Sequence, residues 1–133
     1  MICKISKNIY ISGMGEVDEI AKLKELGINA ILNVAYEVTD SIREPGDFMM
    51  VKIGLMDSPG NPDFMKSLAV IALSDMLHAG RTVLVHCAHG ASRSPYIVFR
   101  YLAETEHRAI EAVYAEFLPI YPHMFLSPLN YNV

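Results

Sequence analysis

Residues His86 to Pro95 read His-Cys-Ala-His-Gly-Ala-Ser-Arg-Ser-Pro, directly after the apolar run Thr82-Val83-Leu84-Val85. Cys87 stands six positions before Arg93, with small residues and one glycine between them. A loop of this shape can wrap a tetrahedral oxyanion. Its N–H groups turn inward as a nest, the following helix presents its positive end, and a guanidinium closes the ring. The same field favours Cys87 as a thiolate, the form that attacks. Cleavage of a phosphate ester then follows a simple scheme. Cys87 attacks phosphorus in line and forms a thiophosphate, while Arg93 holds two equatorial oxygens bidentately, a geometry lysine cannot copy. The phosphate loop proper is Ala88, His89, Gly90, Ala91, Ser92 and Arg93, whose N–H groups stabilise charge spread over the transferring group. Ser94 has two compatible uses: a hydrogen bond to the sulfur that eases its departure, or capping of the next helix. Ser92 reads as a hydroxyl that steadies the loop.

A leaving oxygen also needs a proton, and a carboxyl on a neighbouring loop must supply it. Asp57 fits best, because it follows a strand end and Ser58-Pro59-Gly60 keeps it in a loop. Asp63 is second, beside Pro62 at the expected first turn of a helix. Asp40 and Asp47 belong to the polar stretch before the strand and have further to reach. His86 precedes the nucleophile on its strand, so its ring points away from the phosphate and supports the loop from behind. His89 faces outward at the rim. Two histidines and a cysteine invite a zinc reading, but no second ligand cluster has metal spacing, and neither metal nor cofactor is expected.

The elements that must position these groups are readable from periodicity. Lys4 to Ser12 holds two short apolar pieces around Lys7-Asn8, an edge hairpin or two short strands. Val17, Ile20, Leu23 and Leu26 recur at helical spacing over Glu16 to Leu26, with Gly27 as C-cap. Ile28 to Val34 is a buried strand; Tyr36 to Asp47 is polar with a turn at Pro45-Gly46; Phe48 to Leu55 is the next strand. A helix from Asp63 to Ala79 keeps Lys66, Ser67, Ser74, Asp75 and His78 on one side, and Gly80 stops it. After strand Thr82 to His86 and the loop comes a helix apolar nearly all round, Tyr96 to Leu102, which should be central. A last helix spans about Arg108 to Phe117, before a tail punctuated by Pro119, Pro122 and Pro128. Strands alternating with helices predict an α/β domain with a mostly parallel sheet of four to five strands flanked by helices. In such sheets ligands sit beyond the carboxyl ends of the strands, so the Cys87 and Asp57 loops should share one rim.

At 133 residues and 52% hydrophobic composition, residues 1–133 read as one domain with a substantial core. A net charge of −4 gives no global sign of a nucleic-acid or anionic-membrane binder. Met1-Ile2-Cys3-Lys4 lacks the apolar region of a signal peptide, and the apolar stretch Leu68 to Leu73 is far too short to span a bilayer. Cys3 and Cys87 make no disulfide framework, and a working thiolate needs a reducing compartment, so the cytoplasm is expected. A redox pairing of Cys3 with Cys87 is not expected, although a reactive thiolate oxidises readily.

The stretch His86 to Ser94 resembles the H-C-x-x-G-x-S-R-S loop of the small dual-specificity protein phosphatases, within the cysteine-dependent protein tyrosine phosphatase superfamily. Asn8 to Gly13 is similar to that family's first strands, and Leu26-Gly27-Ile28 with Leu32-Asn33-Val34-Ala35 to its next helix end and strand. Asp57-Ser58 matches the general-acid loop, and Tyr121-Pro122 through Phe125 the entry to the final helix. The resemblance implies a phosphatase-like domain in which Cys87 is the nucleophile, Arg93 the phosphate binder and Asp57 the acid, acting on phosphotyrosine and phosphoserine or phosphothreonine in proteins. Pro95, the helix after it and His123 depart from the commonest family wording. His89 is shared with members that act on RNA 5′-triphosphate ends, but Ala91-Ser92-Arg93-Ser94 is of the protein-directed type. An RNA or phosphoinositide phosphatase and a non-catalytic phospho-binding module are the alternatives.

Overall fold

Five short runs of aliphatic and β-branched residues pair into one sheet in the computed structural model, which describes residues 1–40, 46, 48–122 and 133. The strands are β1 (Cys3–Ser6), β2 (Ile9–Ser12), β3 (Ala30–Ala35), β4 (Met49–Leu55) and β5 (Val83–His86), in the order β1-β2-β5-β3-β4. β1 folds back on β2 as an antiparallel edge, and the other four run parallel. Every residue of β3 and β5 is buried. That explains why both read as unbroken apolar runs: a parallel strand covered on two faces has no solvent side to mark with polar residues.

The helices are α1 (Ile20–Glu25), α2 (Asp63–His78), α3 (Arg93–Glu106) and α4 (Ile110–Phe117). Successive strand residues point to opposite faces, and two cores result. Ile9, Ile11, Leu32, Val34, Val83 and Val85 pack beneath α2, α3 and α4, where they meet Leu73, Ile97, Phe99 and Val113. Tyr10, Ile31 and Leu84 face the other way, under Val17 and Leu23. α3 is central, as its composition predicts: Ile97, Val98 and Phe99 are buried, and Phe99 stacks on Phe117 at 5.7 Å between ring centroids.

Three expectations change. The helix predicted over Glu16 to Leu26 is split into a 3-10 turn, Met14–Asp18, and the short α1, because Glu19 leaves helical geometry at φ −84°, ψ 62°. Val17 is buried in the smaller core and the Met14 N–H is held by the Ala88 carbonyl, so tertiary contacts override the helical spacing. The end of α1 is as expected: Gly27 sits at φ +79°, and the Ile28 and Gly27 N–H groups return to the Leu23 and Lys24 carbonyls. On α2 the polar side is only in part the outer side: Asp75 and His78 are exposed, and so is an apolar strip. Phe64, Leu68 and Ile71 are exposed there, whereas Ser67 accepts a hydrogen bond from Arg100 of α3 and Lys66 lies over the Tyr96 ring. The last helix begins at Ile110 rather than Arg108, whose guanidinium instead pairs with Glu106 and Glu116. Pro45, Asp47, His123, Phe125 and Pro128 lie outside the described residues.

The ring stack gives a direct stability test. Phe99→Ala should cost about 3–5 kcal/mol, read as a lower urea midpoint at unchanged slope.

Candidate active site

Four parallel strands deliver their carboxyl ends to one rim: Ser12, Ala35, Leu55 and His86. β5 lies at the centre of the sheet, so the loop that leaves it opens in the middle of that rim. Cys87 is its first residue and is buried. The Gly90 N–H donates to its sulfur at 3.2 Å, and the Ser94 hydroxyl lies 3.3 Å from the same sulfur. The loop thus turns at least one amide inward, and Ser94 faces the sulfur. Ser92, which starts α3, caps nothing with its side chain. His89 is exposed at the rim, as predicted.

Two braces fix the loop from behind. The Met14 N–H donates to the Ala88 carbonyl at 3.0 Å. The Tyr121 hydroxyl donates to the Gly90 carbonyl at 2.8 Å. Gly90 has φ +70°, and a Cβ there would fall 2.5 Å from the Tyr121 hydroxyl and 2.9 Å from the Gly13 nitrogen. Only glycine suits both the left-handed turn and the space.

Arg93 is 1% exposed, and its hydrogens can be counted. Nη1 donates to Glu37 Oε2 at 2.8 Å and to the Leu55 carbonyl at 2.9 Å. Nη2 meets Glu37 Oε1 at 2.5 Å. A guanidinium has five N–H groups in a planar fork; these contacts among the described residues engage three of them, and Nε lies on the edge that faces Asp57. The buried Nε finds no hydrogen-bond partner among the described residues. That edge is the side-on fork that matches two oxygens of a phosphate. Asp57 Oδ1 is the nearest carboxylate oxygen on that side, 3.8 Å from Nε.

Glu37 was not singled out by the sequence, though a signal existed. Ala35 of β3 and Leu55 of β4 are register partners, and Glu37 and Asp57 each stand two residues beyond their strand end. The Glu37 loop is strongly held. Buried Asn33 accepts from the Ala35 N–H at 2.9 Å and donates to the Val38 carbonyl at 2.7 Å. Asp40, expected to lie far from the chemistry, comes to the back of the site: its Oδ1 is 2.8 Å from His86 Nε2, although out of line for a directed hydrogen bond. The other ring nitrogen of His86 faces the Cys87 carbonyl at 3.2 Å. His86 is thus wholly buried behind the loop, as predicted.

The Asp57 loop has its own lock. Asn61 accepts from the Met56 N–H at 2.7 Å and donates to the Met56 and Ser58 carbonyls at 3.0 and 3.2 Å. The Asp57 side chain is left 51% exposed. Asp63, the second candidate acid, pairs instead with Arg100 at 3.2 Å on the outside of α2 and α3. Among the described residues no group of three or more His, Cys, Asp or Glu could hold a metal ion. Cys3 is a buried core thiol whose pKa is raised by burial. Its pairing partner Ile11 in turn pairs with Val85, so two strand spacings of about 4.8 Å each separate Cys3 from β5. That exceeds the reach of a disulfide to Cys87.

Charge couples Arg93 to the groups around it. Burial alone would lower the Arg93 pKa. The Glu37 hydrogen bonds and the negative charges at Cys87, Glu37 and Asp57 outweigh it and raise the value above the ordinary one. Reciprocally, the Arg93 hydrogen bonds hold the Glu37 carboxyl below the usual carboxylate range. A depressed carboxylate stabilises the fold above its unfolded pKa, near 4.3, and that contribution disappears as pH falls through the folded value. Glu37→Gln should therefore melt below the parent at pH 7, with the gap closing as pH drops below about 4; scanning calorimetry across that range reads it.

A family model described as dual specificity phosphatase, catalytic domain, matches residues 9–126. Human dual specificity protein phosphatase 12 is 31% identical over 115 residues, covering 84% of this chain and 34% of that protein. Human dual specificity protein phosphatase 18 is 33% identical over 103 residues, covering 76% of this chain and 53% of that protein. The chain therefore spans between about a third and a half of these relatives. The crystal structure of DUSP15 superposes with a TM-score of 0.83 at 19% identity, over 96% of this chain and 79% of that one. Fold and sequence agree with the family model over most of the chain, and the protein belongs to the dual-specificity phosphatase family.

Proposed function

We propose that this chain is a protein phosphatase that hydrolyses phosphotyrosine and phosphoserine or phosphothreonine esters through a phosphocysteine intermediate, with residues 1–133 acting as one catalytic domain. The observation that carries the reading is the Nε edge of buried Arg93, which has no hydrogen-bond partner among the described residues and meets only the Asp57 carboxylate at 3.8 Å, in the loop whose Gly90 amide is turned onto a buried cysteine sulfur. A buried guanidinium edge without a partner is costly unless an anion completes it, and a phosphate offers two oxygens at the right spacing.

The steps follow from the positions. The Arg93 edge and the loop N–H groups receive the phosphate oxygens. The Cys87 sulfur attacks phosphorus; the P–S bond forms as the P–O bond to the substrate breaks. Asp57 gives its proton to the departing oxygen, alkoxide or phenoxide, which leaves as a neutral hydroxyl. Water, losing a proton to the same carboxylate, then attacks the phosphocysteine, and inorganic phosphate and thiolate are regenerated. The Ser94 hydroxyl, 3.3 Å from the sulfur, donates to the returning thiolate and makes it a better leaving group. Glu37 takes part as a positioning group, since it fixes the end of Arg93 that faces away from phosphate.

Protein substrates are favoured over polyanions by the surroundings. A cleft of about 260 Å³ opens beside the loop; its lining includes the Glu16 carboxylate, ion-paired with the Met1 ammonium, and no lysine or arginine among the described residues. With Glu37 and Asp57 on the other side, the mouth offers no surplus of cations among the described residues to receive an RNA triphosphate or an inositol polyphosphate. Exposed His89 is the one feature in favour of such a ligand. No helix among the described residues is long and apolar enough to cross a membrane. A working thiolate needs reducing conditions, so the cytoplasm is the proposed compartment.

Cys87→Ser should lower turnover of an aryl phosphate by at least about a thousandfold while the fold survives; near-parental turnover would refute the covalent route. Asp57→Asn should slow hydrolysis roughly a hundredfold and flatten the fall in rate at high pH, because the donor must be protonated to act. An unchanged profile would move the donor elsewhere. Phosphate release from phosphopeptides, inositol lipids and triphosphorylated RNA, measured side by side, decides the substrate class, and preference for either polyanion would sink the protein assignment.

A further inference from the structure

The Glu37 loop is held at one more point that the chemistry does not explain. Lys52 lies on β4, the edge strand of the sheet, with its side chain exposed. Its ammonium donates to the Tyr36 carbonyl at 2.9 Å and to the Val38 carbonyl at 2.7 Å. These two carbonyls flank Glu37 on either side. The Val38 carbonyl also accepts from Asn33, the register partner of Lys52 on β3, so it takes two donors. Two residues along the same face of β4, Gly54 leaves room for the loop to lie against the strand: a Cβ there would be 3.0 Å from the Tyr36 Cα. The Tyr36 N–H donates to the Leu55 carbonyl, the same oxygen that accepts from Arg93 Nη1.

An exposed lysine is usually dispensable, because a solvated side chain gains little from one fixed geometry. Here the ammonium is tied to two main-chain carbonyls rather than to a mobile carboxylate. The peptide units it orients carry the carboxylate that grips Arg93. We propose that Lys52 is a positioning residue for phosphate binding, acting through the Tyr36–Val38 backbone and Glu37 on the Arg93 guanidinium. Lys52 touches neither phosphate nor the reacting atoms. Its effect is on the angle of the fork: with the ammonium gone, Glu37 can swing, the Arg93 end is no longer fixed, and the Nε edge meets the phosphate oxygens less squarely. The inference rests on Arg93 being the phosphate clamp.

The test is a double-mutant cycle on an aryl phosphate, with inorganic phosphate as competitive inhibitor and melting temperature recorded for each protein. Lys52→Met should lower kcat/KM and weaken phosphate inhibition, each roughly five- to tenfold, with a melting temperature near the parent's. Lys52→Arg, which keeps the donors, should recover most of both. In a Glu37→Gln background Lys52→Met should change either quantity by less than about twofold, because the path it acts through is already cut. Should Lys52→Met fail to fold, Lys52→Gln removes the charge at smaller cost and enters the same cycle. Parental kinetics in Lys52→Met, or an equal loss in both backgrounds, overturns the proposal. Arg93→Lys separates this outcome from failure of the clamp itself, since parental kcat/KM and phosphate inhibition there would discredit the clamp whatever Lys52 does.

Discussion

A guanidinium taken out of water is the constraint around which this fold is arranged. An unpaired charge in the interior costs several kcal/mol even after relaxation, and Arg93 is all but inaccessible. It is tolerable because a carboxylate meets one edge and a main-chain carbonyl a third N–H. Those partners come from the ends of β3 and β4, which lie side by side only because the sheet is parallel there. The remaining edge meets only the Asp57 carboxylate, at 3.8 Å. In the proposed mechanism binding and stability would therefore draw on the same group, the protein completing its buried charge in part and a phosphate completing the rest.

The surrounding architecture separates rigid from replaceable parts. β3 and β5 are buried on both faces and lock the rim, while the chemistry hangs from loops tied down by single polar side chains. Asn33 and Lys52 hold the Glu37 loop, Asn61 the Asp57 loop, and Tyr121 with Met14 the cysteine loop. Glu37 is 47% exposed at its carboxylate and still makes the tightest contact to the buried arginine. Solvent on one side and a fixed cation on the other keep that carboxylate ionised without burying a second charge.

How much of this was legible depended on distance along the chain. The decapeptide at Cys87 was readable because nucleophile, amides and guanidinium are contiguous, and a motif of that kind needs no partner to be seen. Strand and helix order followed from apolar periodicity for the same local reason. Glu37 was invisible because its partner is 56 positions away and only strand register brings the two together. Asp40 looked remote by sequence, yet a short loop returns it to His86. The broken first helix and the apolar outer face of α2 escaped because neighbours decided them: Ala88 captured Met14, and α3 took the polar side of α2. Hydrophobic spacing shows that a face exists, not which neighbour claims it.

The brace between Tyr121 and Gly90 links residues 31 positions apart and crosses from the end of the fold back to its centre. A chain emerging from the ribosome presents the cysteine loop well before α4 and the tyrosine behind it. Until that segment docks, Gly90 lacks its bond to the Tyr121 hydroxyl, and of the two braces only the Met14 N–H holds the loop. Within this domain the turn at Gly90 is therefore complete only once the segment behind α4 has docked. Closing the fold and finishing the cysteine loop are one event.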